Sequence, residues 1–260
     1  MKPKNNFYLL LVAIIILLLA GCSTLETRQQ SPEELYSDAL ARMEGSKSLF
    51  GATDYLGAKV KLEEITRKYS FTKYAPLAEL RLADIYFKKD QYEEAILAYQ
   101  DFISLHPNHQ EVHYALYQIG LAYFKEIDTV DRDVTPAAKA LTSFDTLLSR
   151  FPESKYGPEA SAKSAFCKDI LSGNEFYVGQ YYYKRGHYKA AAKRFRATLE
   201  KFPGYGPKED ALLFLGKSFL ANNEREKGIN TLNNLIKAFP ESDQAAESRK
   251  LLDNEKKLKD

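Results

Sequence analysis

Four stretches of the chain end alike: an apolar run at helical spacing, then an aromatic residue or histidine, then proline. "LLSRFPES" closes one at residues 147–154 and "LIKAFPES" another at 235–242, with weaker copies in "LEKFPG" from Leu199 and "ISLHPN" from Ile103. Proline cannot continue a helix, because it lacks the amide hydrogen and clashes with the preceding turn, so each ending marks a helix terminus. An ending written several times predicts a repeated helical unit.

Alignment on the prolines tests this. Counting back from Pro107 places Leu82, Ala83, Tyr86, Ala95 and Tyr99 at the spacing of the tetratricopeptide pattern, whose period is about 34 residues. The same count from Pro203 gives Val178, Gly179, Tyr182, Ala191 and Phe195, and from Pro240 Leu215, Gly216, Phe219, Gly228 and Leu232. The small residue of helix A (Ala83, Gly179, Gly216) is expected to approach the small residue of helix B (Ala95, Ala191, Gly228), with larger residues filling the space between hairpins. A further copy carries Ile119, Gly120 and Tyr123, then Ala140, Phe144 and Pro152; its longer spacing predicts an extended hairpin loop within "KEIDTVDRDVTP". In the first copy Ala39 and Ala58 are the paired small residues and Tyr69 closes helix B. Ser31-Pro32 with Glu34, Asn108 with Glu111, Thr135-Pro136, Pro76, Pro158 and Pro207 supply caps or first-turn prolines at helix starts. The expected fold is all-α, a superhelical solenoid of about five tetratricopeptide-like hairpins over residues 31–253, with a charged tail at 254–260. Such solenoids bind peptides or partner domains on a concave face made mainly by helices A.

The first residues follow a different rule. Lys2 and Lys4 precede an apolar stretch from Phe7 to Ala20, then small residues and Cys22, the layout of a secretory signal. The stretch is shorter than the roughly 20 residues that span a bilayer. "LAGC", Leu19 to Cys22, resembles the lipobox of bacterial lipoproteins, which implies a signal peptide at 1–21, acylation of Cys22 and a lipidated linker at 22–30. Ser23 fits the outer-membrane sorting pattern of such proteins. Acyl chains contribute about 0.8 kcal/mol per buried CH2, enough in combination for stable anchoring.

Removal of that segment changes the charge. The chain has 37 Lys and Arg against 35 Asp and Glu, and loss of Lys2 and Lys4 leaves the mature protein balanced, which argues against nucleic-acid binding. Beyond Cys22 there is only Cys167, so no internal disulfide is possible and the core must provide stability. Cys167 falls on an apolar helical face in "SAKSAFCKDIL", the setting of a buried, inert thiol. A hydrophobic fraction of 45% excludes disorder as the general state, and 18 Tyr with 15 Phe and no Trp suggest many aromatic packing positions.

Catalytic chemistry is not written in the chain: there is no phosphate loop, no G-x-S-x-G elbow and no H-E-x-x-H. His106, His109 and His113 lie close in sequence, but Pro107 and a turn divide them, and structural or solvated histidines are expected rather than a metal site. In Tyr181-Tyr182-Tyr183 the middle ring is the repeat's own core position, which leaves its neighbours as candidates for a binding surface. The expected protein is neither an enzyme nor a cofactor carrier.

Several segments exceed what a generic repeat demands: "SPEELYSDAL", "ITRKYSFTKYA", "FISLHPNHQEVHYALYQIGLAYF", "VDRDVTPAAKALTSFDTLLSRFPESKY" and "NEFYVGQYYYKRGHYKAAAKRFRATLEKFP". Together with the lipobox they resemble the BamD family, lipoproteins of the outer-membrane beta-barrel assembly machine, over nearly the whole mature chain. The resemblance implies a non-catalytic scaffold on the periplasmic face of the outer membrane that binds the POTRA region of a BamA-like barrel protein and recognises unfolded outer-membrane protein precursors. It implies that Arg194 bridges to an acidic POTRA residue, that Tyr69 and Tyr181 contact partner or precursor, and that Asp131, Arg132 and Asp133 lie near other accessory lipoproteins. The loop holding those three is shorter than in enteric members, which weakens the last implication. A periplasmic repeat protein similar to the Tol-associated coordinator shares the "FPxS" endings but lacks a lipobox and carries a coiled coil, neither of which fits.

Overall fold

The computed structural model describes residues 29–45 and 52–257; the expected signal peptide at 1–21 and Cys22 lie outside the described residues. Among the described residues all regular structure is helical: α1 (Pro32–Met43), α2 (Tyr55–Lys68), α3 (Tyr74–Lys88), α4 (Tyr92–Leu105), α5 (Val112–Lys125), α6 (Thr135–Arg150), α7 (Gly157–Lys184), α8 (Tyr188–Lys201), α9 (Lys208–Ala221), α10 (Arg225–Ala238) and α11 (Asp243–Lys257). The fold is all-α, built of tetratricopeptide-type hairpins. Two compact units are distinguished, residues 1–74 and 75–260.

In the first unit α1 and α2 form a hairpin. Ser31 caps α1 by accepting from the Glu34 amide while the Glu34 carboxylate accepts from the Ser31 amide, a complete capping box with Pro32 in the first turn. Arg42 near the end of α1 donates to Asp54 at 2.5 Å, and Asp54 in turn caps α2 by accepting from the Gly57 amide at 2.8 Å. One carboxylate thereby joins the end of one helix to the start of the next. Ala39, Ala58, Leu62 and Ile65 are fully buried, as the repeat register requires.

In the second unit α3 to α10 form four further hairpins, followed by α11. Helix A ends alike in three of them. The amides of Gln91, His187 and Glu224 donate to the carbonyls of Tyr86, Tyr182 and Phe219, the aromatic position of the pattern. The residue before each donor, Asp90, Gly186 or Asn223, has positive φ, and Asp, Asn and Gly are the types that adopt it at least cost. The remaining hairpin, α5–α6, has the expected long loop at residues 126–134 instead.

The repeated "FPES" has a backbone meaning. Tyr69, His106, Phe151, Phe202 and Phe239 cap their helices with φ between −127 and −135° and ψ between 34 and 66°. In the two full copies the closing aromatic donates to the carbonyl four residues back, Ser154 or Ser242 donates to that aromatic's carbonyl, and Gly157 or Ala245 donates to the serine carbonyl. The motif is a bent ladder carrying one hairpin into the next. The proposed cap at Asn108 does not form; Glu111 precedes α5 and its amide donates to His109 Nδ1, because the ladder delays the helix by a turn.

The close approach within hairpins differs in part from the expectation of small against small. A Cβ on Gly120 would stand 2.5 Å from the Phe144 ring, and one on Gly179 would stand 2.6 Å from the Phe195 ring. The small residue of helix A therefore meets the large residue of helix B, whose ring fills the space that a side chain would occupy. In α9–α10 both contacts occur, since Gly216 faces Leu232 and a Cβ on Gly228 would lie 3.1 Å from the Gly216 carbonyl. Tyr99, Phe144, Phe195 and Leu232 are fully buried, each contributing roughly 1.5–3 kcal/mol of hydrophobic stabilisation.

Helix α7 is 28 residues long and runs through two roles. Its first half sends Ala160 and Cys167 into the core shared with α5 and α6, and its second half sends Phe176, Tyr182 and Tyr183 into the core around α8 and α9. Helix A of the fourth hairpin is thus the second half of a longer helix. At the C-terminus, Ala245 and Leu252 pack against Leu232 and Leu235, so the charged residues up to Lys257 extend a helix that closes the last core.

Candidate partner-binding surfaces

Arg194 stands on α8 beside the buried Phe195, with its side chain 42% exposed. Its Nη1 donates to Glu175 Oε2 at 2.8 Å, and Lys201 Nζ donates to Glu175 Oε1 at 2.7 Å. Glu175 comes from α7 and is only 12% exposed. Burial pushes its carboxyl upward, but the hydrogen bonds from Lys201 and Arg194 outweigh that and hold it below the usual range. Glu175 therefore positions Arg194, and one carboxylate carries two cations.

The middle of α7 is held from two further directions. Asn174 Nδ2 donates to the Val130 carbonyl at 2.7 Å, and Val130 lies against Gly173, where a Cβ would meet it at 3.0 Å. On the other side the Gly206 amide donates to Asp169 at 2.9 Å, and Ser172 donates to the Tyr205 carbonyl at 3.2 Å. Val130 sits next to the Asp131-Arg132-Asp133 sequence, so that loop is fixed in place on α7 by its backbone. Its side chains are spent locally. Arg132 pairs with Asp128 at 2.8 Å, Asp131 accepts from the Thr129 hydroxyl at 2.5 Å, and Asp133 accepts from the hydroxyl and amide of Thr135 at 2.7 and 2.9 Å. These hydrogen bonds from Thr129 and Thr135 hold Asp131 and Asp133 below the usual carboxylate range.

Of the three consecutive tyrosines only Tyr181 is outward, at 47% exposure, with the Arg185 guanidinium 3.6 Å above its ring. Tyr177, one turn earlier, is also exposed. Tyr183 is not a surface candidate: it packs edge-on against Phe214 and Tyr188. Tyr69 caps α2 and is half-buried; its hydroxyl donates to the Gln30 carbonyl at 3.0 Å and accepts from Gln29 Nε2 at 3.1 Å. This tyrosine holds the segment leading into α1. The structure thus brings Arg194, Glu175 and Lys201 together, seats the 131–133 loop on the same helix α7, and puts Tyr69 in the other unit.

His106 and His109 both pack on Phe102, while His113 lies apart from them against other rings. His106 Nε2 is 2.7 Å from Glu79, His109 lies edge-on to Phe102, and His113 packs against Phe151 and Tyr156. Cys167 is fully buried, and that burial pushes its thiol up to about 11. Glu175, Asn174 and Asp169 were missed by sequence reasoning; they are ordinary polar positions in a helix, and their partners lie 19 to 44 residues away.

Residues 28–227 match the family model of YfiO, described as outer membrane lipoprotein. The chain belongs to this family. Relatives include the outer membrane protein assembly factor BamD of Neisseria gonorrhoeae, 32% identical over 253 residues that cover 90% of this chain and 92% of the relative. The protein of the same name from Caulobacter vibrioides is 28% identical, covering 84% and 70%. Among solved structures, the tetratricopeptide domain of P58(IPK) aligns with a TM-score of 0.42 at 15% identity, covering 84% of this chain and 54% of that one. Membership agrees with the resemblance drawn from the segments around Tyr69, the 131–133 loop and Arg194. No helix among the described residues is long and apolar enough to cross a membrane.

Proposed function

We propose that this protein is a non-catalytic scaffold of outer-membrane beta-barrel assembly, held to the periplasmic face of the outer membrane by acyl chains on Cys22. The observation that carries the reading is the family match over residues 28–227. In this layout residues 1–21 are removed, 22–30 form a lipidated linker, 31–253 form the repeat array and 254–260 the charged end. Anchoring confines the array to the membrane plane and raises its effective concentration for membrane-held partners.

Arg194 is the proposed contact to the POTRA region of a BamA-like barrel protein. A guanidinium has five N–H donors, and Glu175 engages one nitrogen of Arg194, leaving the rest of the fork for an incoming carboxylate. Lys201 keeps Glu175 neutralised if Arg194 turns outward, so the exchange leaves no bare buried charge. Lysine would supply charge without the fork and is a poor substitute. Tyr69 and Tyr181 are proposed to touch precursor or partner, Tyr181 through its exposed ring, and residues 131–133 to face other accessory lipoproteins.

The test is a titration of the full chain in detergent with isolated POTRA domains of its barrel partner. Arg194→Gln is expected to weaken binding by tenfold or more, about 1.4 kcal/mol, with Arg194→Lys recovering little. Equal affinity for all three proteins would remove Arg194 from the interface.

A further inference from the structure

We infer that a side of α8 separate from the Glu175 contact carries a second docking surface, a basic groove for an acidic peptide segment of a protein partner. Lys189, Lys193 and Arg196 follow one another at i, i+4 and i+7, which aligns them on one face of α8. That face borders an open groove of about 650 Å³ next to the α7–α8 turn, continuous through Lys189 and Lys193 with a second of about 300 Å³ beside α10. Tyr182 lines the first, and Phe219 lines the second. Arg196 and Lys227 stand over the Phe219 ring at 5.6 and 5.8 Å, which holds two of the cations in place.

The charge in this groove is unbalanced. Among the described residues no carboxylate forms an ion pair with Lys189, Lys193 or Arg196. Glu224 is the one acidic lining residue, bound by Lys227 at 2.5 Å and by Asn222 at 2.6 Å. Those hydrogen bonds hold its carboxyl below the usual range, with Lys189 adding to the effect. The chain's own carboxylate thus shows which group this field favours, and three cations remain for a visitor.

A peptide fits better than a membrane surface. The cations are strung along about 10 Å of helix at 1.5 Å per residue, a span that a few residues of extended chain cover. They border a recess with aromatic side chains, which suits alternating acidic and apolar side chains and not a flat layer of headgroups. The surface is distinct from Arg194, which faces α7 and is engaged there.

The experiment is fluorescence anisotropy of the full chain in detergent micelles with a fluorescein-labelled peptide of alternating Glu and Leu. The variant Lys189→Glu/Lys193→Glu is expected to lose affinity by at least about tenfold, and Lys189→Gln/Lys193→Gln by a smaller factor. Lys88→Glu/Lys89→Glu makes the same change in net charge at the end of α3 and is expected to retain binding. If the reversal variant loses helicity, the neutral variant carries the comparison. No binding by the parent chain, equal loss in the groove and α3 variants, or a groove-dependent preference for phosphatidylglycerol over phosphatidylcholine vesicles without peptide binding would each overturn the assignment.

Discussion

The Tyr99 hydroxyl of α4 donates to Asp84 Oδ1 of α3 at 2.6 Å, and the same oxygen accepts from Tyr114 of α5 at 2.8 Å. Arg81 pairs with the other oxygen of Asp84 and stacks over the Tyr114 ring, while Gln118 donates to the Tyr114 hydroxyl at 2.7 Å. One buried carboxylate therefore ties a hairpin to the first helix of the next. Replacing Asp84 by Ala would leave the hydroxyls of the buried Tyr99 and the partly buried Tyr114 without the carboxylate that accepts from them. The expected loss is about 3–5 kcal/mol, against roughly 1–3 for Tyr99→Phe. Urea unfolding monitored by helical circular dichroism measures both, and equal small losses would show that the network contributes little.

The same contacts set a limit at alkaline pH. Burial first, then the charge of Asp84, pushes the Tyr99 and Tyr114 phenols well above their ordinary value. The folded state keeps these protons where the unfolded chain releases them, so stability is full below about pH 10 and falls as pH rises past it. Phenolate absorbance should show Tyr99 and Tyr114 among the tyrosines that ionise only together with loss of helicity.

Glu175 has the opposite sign. Its carboxyl is held below the ordinary range, so the stabilisation from Arg194 and Lys201 is present above that range and disappears as pH falls through the native value. Both cations are substantially exposed, at 42% and 59%, which limits the bridges to about 1 kcal/mol. Glu175→Gln should flatten the acid limb of the stability curve by that amount.

Glycine substitutions separate packing from backbone freedom. Gly120→Ala and Gly179→Ala drive a methyl into the buried rings of Phe144 and Phe195 and should cost roughly 1–3 kcal/mol each. Gly186→Ala meets nothing within 4 Å, but its φ of 76° carries a cost of about 1–2 kcal/mol. Thermal melts of the three variants provide the comparison.

Cys167 should resist alkylation in the native protein and react on unfolding, because burial keeps its thiol protonated to about pH 11. Mass spectrometry of a Cys22→Ala chain with iodoacetamide, with and without urea, reads this directly; equal labelling would place the thiol at the surface.

The repeat was readable because proline ends a helix wherever it falls and because the small and aromatic positions recur at fixed distances from it. The positions Ala83, Tyr99, Gly179 and Phe195 could therefore be named without coordinates, but the sequence paired Gly179 with Ala191, and its approach to the Phe195 ring came only from the packing. The unbroken length of α7 was not readable, since its two halves serve different cores and no single apolar stripe runs along it. Nor were the bonds of Asn174 to Val130 and of Arg194 to Glu175, which depend on how neighbouring hairpins meet. Arg194 was found by family resemblance, and the acidic residue that holds it emerged only from packing.

The measurement that bears most directly on the scaffold reading is an affinity pull-down of the full chain from detergent-solubilised outer membrane, with Cys22→Ala as control. The account predicts co-elution of a large barrel protein with POTRA domains, and reduced recovery from membranes when Cys22 is replaced. Recovery of Tol or peptidoglycan-linked proteins without that barrel would contradict it.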